Sequence, residues 1–257
     1  MEPIVPMEYD SGPFDLFAER LPRAYGGHNI QRVYQSVMDS IVKTARARAA
    51  GRQRMTDPLE RTQDANGVYA FQVRPMEVTY DKHEGKMEIS CQLWSVLAGG
   101  TADRAKSGFR IAYIPRVDHT YTYAGPDGKN VEVEVVKFRE YTIAFANLDA
   151  FPVERRPEKT EGTSVRGLDA SLRSGTIKAG TSAEKREMNE LERNLRLLVV
   201  CRLTEPYATS ETQEVKGTPE SPGEYLAEHK YLHVRILELW LYDAYTGKIF
   251  AKIGPSK

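Results

Sequence analysis

Apolar residues recur along this chain with two periods, and each period has its own place. From 30 to 50 the spacing is three and four: Ile30, Val33, Tyr34, Val37, Met38, Ile41, Val42, Ala45 and Ala49 fall on one side of a helix. Asn29 precedes the run as an N-cap, and Gly51 follows where a C′ glycine belongs. The pattern predicts a long amphipathic helix over 30–50 that buries Val33, Val37, Ile41 and Val42. Two shorter helices are expected, over 14–21 before Pro22 and after the capping box Thr181-Ser-Ala-Glu184.

Elsewhere the period is two. Strands are predicted over 68–73, 76–80, 87–96, 109–114, 119–123, 131–147, 197–203 and 231–253. Asp81–Gly85 and Gly125-Pro-Asp-Gly128 supply the turns of two hairpins. The stretch 231–253 is the most apolar. Leu232, Val234, Ile236, Trp240 and Tyr242 alternate onto one side, and Leu237, Leu239 and Leu241 onto the other. A strand apolar on both faces lies inside its sheet. Asp243–Gly247 then turns the chain, and 248–253 returns as a shorter strand. The long run 131–147 is apolar in odd register at Val131, Val133 and Val135, in even register at Val136 and Phe138, then odd again at Tyr141, Ile143 and Phe145. A flat strand cannot do this, so bulges are expected near Val135-Val136 and Arg139-Glu140.

Together these elements predict an α+β fold. A mostly antiparallel β-sheet of seven to nine strands, a sandwich or half-barrel, carries the long helix on one face. The organisation expected is an N-terminal arm over 1–13 and a single domain over 14–257. Polar composition marks a loop at 52–66 and excursions at 151–180 and 205–230, the last with one helical turn after Ser221-Pro222.

Charge adds little that is specific. Among 257 residues, 36 Lys and Arg balance 36 Asp and Glu, so no global field draws the chain to nucleic acid. The local cluster Lys43, Arg46, Arg48, Arg52 and Arg54 reads as favourable charge at a helix C-terminus, and no nucleic-acid partner is expected. Apolar runs long enough to span a bilayer are absent. The compartment stays open: cytoplasmic if the N-terminus is native, periplasmic or exported if a signal sequence was removed. Cys91 and Cys201 are expected as two buried free thiols; a disulfide between them would close a loop of about 110 residues and contribute roughly 4–5 kcal/mol.

Chemical motifs are few. Gly100-Thr-Ala-Asp-Arg-Ala-Lys106-Ser107 approaches a phosphate loop, but Ala105 stands at the second glycine and a strand pattern follows where a helix is needed. His229 and His233 lie in or beside a strand, where four residues span roughly 13 Å, too far for one metal. No cofactor motif, metal-ligand spacing or nucleophile elbow is present. The most distinctive polar-aromatic stretch is Arg116-Val-Asp-His119-Thr-Tyr121-Thr-Tyr123. Alternation places His119, Tyr121 and Tyr123 on one face near a hairpin tip, where with Arg116 they would grip a protein partner. The bland alternative is that these rings cover the sheet or pair with Val131 and Val133. The expectation is therefore a non-catalytic binding or structural module, an accessory subunit of a larger assembly. The rival is a hydrolase-type enzyme with a site assembled from distant loops.

Overall fold

A computed structural model describes residues 7–9, 14–16, 18–49, 67–75, 77–81, 86–96, 106–124, 128, 130–151, 154–157, 163–166, 170–171, 190–191, 193–216 and 224–256. Its strands in chain order are β1 (Met7–Tyr9), β2 (Tyr25–His28), β3 (Val68–Val73), β4 (Glu77–Asp81), β5 (Lys86–Val96), β6 (Lys106–Ala124) and β7 (Asn130–Phe145). They continue with β8 (Glu154–Pro157), β9 (Thr163–Arg166), β10 (Ala170–Ser171), β11 (Leu195–Val215), β12 (Glu224–Asp243) and β13 (Ile249–Ile253). The ladder runs β1-β2-β3-β11-β12-β7-β6-β5-β9-β8, with β4 and β10 added to β5 and β13 to β12. It curls into a half-barrel, and the single long helix α1 (Ile30–Ala49) packs on one face. The fold is the α+β, strand-dominated one that the alternation implies. Short strands raise the count beyond the seven to nine expected.

The apolar character of 231–253 puts β12 at the centre. One edge of β12 pairs antiparallel with β11 from Asp243 to Tyr225. The other edge pairs in parallel with β7, from Glu224 opposite Val135 to Val234 opposite Phe145, and then antiparallel with β13. Between these two partners the ladder is continued by one residue. The Ala146 N–H donates to the Val234 carbonyl at 2.9 Å. The Asn147 amide then donates to the Ile236 carbonyl at 2.9 Å and accepts from the Ile236 N–H at 2.8 Å. A side chain here does the work of a strand backbone where β7 leaves the sheet.

The faces of β12 differ from simple alternation. Ile236 pairs with Cys201 and Glu238 with Val200, so Leu237 is an extra residue. Beyond it the register flips. Leu232, Val234, Ile236, Leu239 and Leu241 therefore share the main core, and Trp240 and Tyr242 point to the opposite face. There they meet Leu21, Tyr25 and Phe14, whose ring lies 5.0 Å from Trp240. Lys252 sits 3.8 Å above the same indole and donates to the carbonyls of Leu16 and Ala18. The segment expected as a helix over 14–21 is, in its described residues, a turn and an isolated bridge from Arg20 to Lys248. Covering a flat sheet face and bonding to the β13 hairpin holds it extended.

Other expectations are corrected in the same way. The strands over 109–114 and 119–123 are one strand, β6. Pro115 is tolerated because β6 pairs with β5 only at Lys106–Gly108 and is an edge strand beyond, among the described residues. The bulges belong to β6, at Ile111 and Asp118, while β7 stays regular. Val136 and Phe138 are apolar because the second face of β7 is also partly covered. The described parts of 205–230 are not an excursion: 205–215 continues β11 and 224–230 opens β12, a polar ribbon beyond the core, while 217–223, with the helical turn expected after Ser221-Pro222, lie outside the described residues. Of 151–180, the described residues are buried Phe151 and strands β8, β9 and β10; the rest, and the loop at 52–66, lie outside the described residues.

In α1, Asn29 caps as expected, its Oδ1 accepting from the Arg32 N–H at 3.0 Å. Ile30, Val33, Tyr34 and Val37 are buried, but Val42 is 41% exposed, because the helix runs past the sheet after Ile41. Cys91 and Cys201 are free and buried, and burial pushes the Cys91 thiol up to about 12.

Two predictions follow from this packing. Val37→Asp should destabilise the protein by about 3 kcal/mol or more, whereas Val42→Asp should stay within about 0.5 kcal/mol of wild type in urea unfolding. Equal costs would contradict the described docking of α1. Asn147→Ala should cost about 2 kcal/mol by orphaning both polar groups of Ile236. A neutral result would mean that water replaces the amide.

Candidate functional site

The bulge at Asp118 decides what the predicted face contains. Arg116 lies opposite Lys137 and His119 opposite Val135, so the extra residue brings Arg116 onto the same face as His119 and Tyr121. Strict alternation would have put it opposite. His119 is largely exposed, and its Nδ1 lies 3.0 Å from Asp118, which also pairs with Lys137 at 2.9 Å. Tyr121 donates to Glu224 at 2.7 Å, and its ring lies 6.3 Å from His119. Tyr123 continues the strand opposite Val131. Arg116 makes no ion pair among the described residues. Structure thus places Arg116, His119, Tyr121 and Tyr123 along one strand near the β6–β7 hairpin.

A second constellation lies on the other face of the same strands and was not foreseen. Register sets Tyr113 opposite Glu140, and Glu140 beside His229. Glu140 accepts from Arg110 Nη1 at 2.8 Å through one oxygen and meets His229 Nδ1 at 2.9 Å through the other. The His229 hydrogen bond, reinforced by Arg110, holds the Glu140 carboxyl below its usual range against the cost of burial. An ionised carboxylate only accepts, so Nδ1 of His229 carries the proton of this hydrogen bond.

Aromatic rings enclose this ion-paired group. His229 lies parallel to Tyr231 at 6.3 Å and edge-on to Phe138 at 6.4 Å. Phe138 in turn meets Tyr113 and Tyr225, each at 5.4 Å, and the Arg110 guanidinium lies 5.3 Å from the Tyr113 ring centre. Burial, followed by the fields of Glu211 and Glu140, pushes the Tyr231 hydroxyl up to about 12, so it stays neutral. Further along β12, Thr209 Oγ1 lies 2.9 Å from His233 Nε2.

Three strands distant in sequence supply this group, which is why sequence reasoning missed it. A signal did exist: the even-register apolar residues Val136 and Phe138 mark a second partly covered face. Among the described residues no three His, Cys, Asp or Glu side chains gather as metal ligands. His229 and His233 each have a separate partner. Of the phosphate-loop-like stretch, Lys106 and Ser107 begin β6 and 100–105 lie outside the described residues. Comparison with known proteins finds no matching family model, no similar curated protein and no similar solved structure.

The charge state of Glu140 has a measurable consequence. Its folded pKa lies below its unfolded value, so its contribution is present above the ordinary carboxylate range and is lost as pH falls through the folded value. Glu140→Gln should therefore be less stable than wild type by about 1–3 kcal/mol at pH 7, and the gap should narrow on acidification toward pH 4. Urea midpoints at the two pH values check this. A gap that does not change with pH would remove Glu140 as a charged anchor.

Proposed function

We propose that this protein is a non-catalytic binding module, an accessory subunit that engages another protein through β6 and the adjoining hairpin. The observation that carries this reading is the distribution of exposed apolar side chains. Of six large ones exposed among the described residues, four lie on this one strand, Ile114 and Tyr121 on the face of Arg116 and His119 and Tyr113 and Val117 on the other, with Val42 and Tyr245 elsewhere. A soluble surface scatters such residues singly, and a cluster marks a contact surface. Among the described residues the strand is also an edge beyond Gly108, so its backbone can accept an added strand as well as side-chain contacts. Arg116 adds charge, and His119 a polar ring, to an otherwise apolar rim.

The hydrolase-type reading draws on one feature, the imidazole of His229 oriented by Glu140. It lacks a nucleophile: no Ser, Thr or Cys side chain bonds Nε2 of His229 among the described residues. Glu140 is also shared with Arg110, which suits a rigid anchor better than a base.

Site-directed photo-crosslinking in the native cell tests the reading. A benzophenone amino acid at 113, 117 or 121 should yield a discrete protein adduct, and the same probe at exposed Tyr245 should not. Each substitution should leave the melting temperature within about 2 °C of wild type. Absence of adducts at all three positions, or equal adducts at 245, would dismiss β6 as the contact surface.

A further inference from the structure

Three rings form a diagonal file across three adjacent strands. Tyr113 stands on β6 in the row of Glu140 and His229, Phe138 on β7 in the row of Pro115 and Ala227, and Tyr225 on β12 in the row of Val117 and Val136. Phe138 lies 5.4 Å from each of the other two rings, at interplanar angles of 43° and 33°, so they meet as tilted steps and not edge to face. Helix α1 lies on the reverse face, where its Tyr34 meets Tyr141. The file is open at its β6 side: Tyr113 is 47% and Val117 52% exposed, and Phe138 and Tyr225 are half-buried. The Arg110–Glu140 pair, 2.8 Å apart, holds the guanidinium 5.3 Å from the Tyr113 ring centre and so fixes one end of the file. Toward the hairpin, the same face of β7 carries Glu134 and Glu132, both exposed and set opposite Thr120 and Thr122.

The backbone beneath the file is already paired, β7 with β6 and β12, and β12 with β11. A peptide lying on this face finds no ladder to join, so its own backbone must need none. A polyproline II segment meets that condition, because it has no internal hydrogen bonds, its backbone stays solvated and its shape is preformed. An α-helix also satisfies its own backbone, but it docks through a broad apolar stripe, as α1 does on the reverse face. A narrow file of rings suits proline instead, whose ring packs on aromatic faces while tyrosine hydroxyls reach the solvated carbonyls. Two steps of 5.4 Å match about one turn of such a segment at 3.1 Å per residue. The carboxylates of Glu132 and Glu134 complement basic residues beyond it. We propose that the Tyr113–Phe138–Tyr225 file docks a proline-rich, extended segment of a partner protein, with basic residues at one end set against Glu132 and Glu134. This inference rests on the reading of β6 as a contact strand and adds which face is used and what the partner presents.

The experiment follows the fluorescence anisotropy of a labelled synthetic peptide, roughly nine prolines followed by two arginines, titrated with the full chain. A glycine-serine peptide carrying the same arginines should bind at least about tenfold more weakly. Tyr113→Ala should weaken the proline peptide about tenfold with melting within about 2 °C of wild type, and Tyr121→Ala, on the reverse face, should leave affinity unchanged. Combining Glu132→Gln with Glu134→Gln should weaken binding about three- to tenfold at low salt, and by less at roughly 0.5 M salt. No binding by wild type, equal binding of the glycine-serine peptide, unchanged affinity in Tyr113→Ala, or tighter binding of an amphipathic helical peptide overturns the proposal. Crosslinked adducts at 113 and 117 without peptide binding remove the proline-rich partner and leave β6 as the contact strand. Absence of adducts removes the reading beneath it.

Discussion

Strand β12 is hydrogen-bonded on both edges and covered on both faces, and the other elements take their places from it. Its backbone must find partners along twenty residues, because a buried N–H or C=O without one costs as much as a lost hydrogen bond. β11 satisfies one edge. The second edge is shared by β7, β13 and, between them, the side chain of Asn147. That sharing makes the sheet mixed, since β7 runs parallel to β12 and β13 antiparallel. It also lets the sheet curl, because the two second-edge partners meet β12 at different points along its length.

Bulges then distribute the side chains. Leu237 is the extra residue that separates Trp240 and Tyr242 from the leucines of the main core, and so creates a second apolar layer for Phe14–Tyr25 to cover. Asp118 does the equivalent on β6, gathering Arg116 with His119 and Tyr121. A single inserted residue exchanges the faces of everything beyond it. Such insertions decide which side chains share a face.

Side chains on this sheet divide into balanced and exposed sets. Arg110 balances the charge of Glu140 and His229 bonds its other oxygen within a frame of rings, which holds β6, β7 and β12 together on the less covered face. Beside that internally balanced set, four large apolar side chains of β6 stand exposed. Contact surfaces and ligand sites are expected at such imbalances, because a partner removes the cost of leaving them open.

Local pattern alone determined several elements. The α1 stripe and its Asn29 cap, the β4–β5 and β6–β7 hairpins and the central position of 231–253 all rest on contacts within a few residues or on a simple period. What pattern could not reveal depends on neighbours distant in the chain. Val42 continues the helical stripe yet is exposed, because the sheet ends before the helix does. The polar stretches 205–215 and 224–230 form strands because they pair with each other, and 224–230 also with β7, not because of their composition. Phe138 and Glu140 looked like a register fault and are instead the centre of a second face. The meeting of Glu140 with His229 joins residues 89 positions apart. Only the assembled ladder decides such encounters, because a single sequence records which residues can pair across a sheet and not which strands the chain brings side by side.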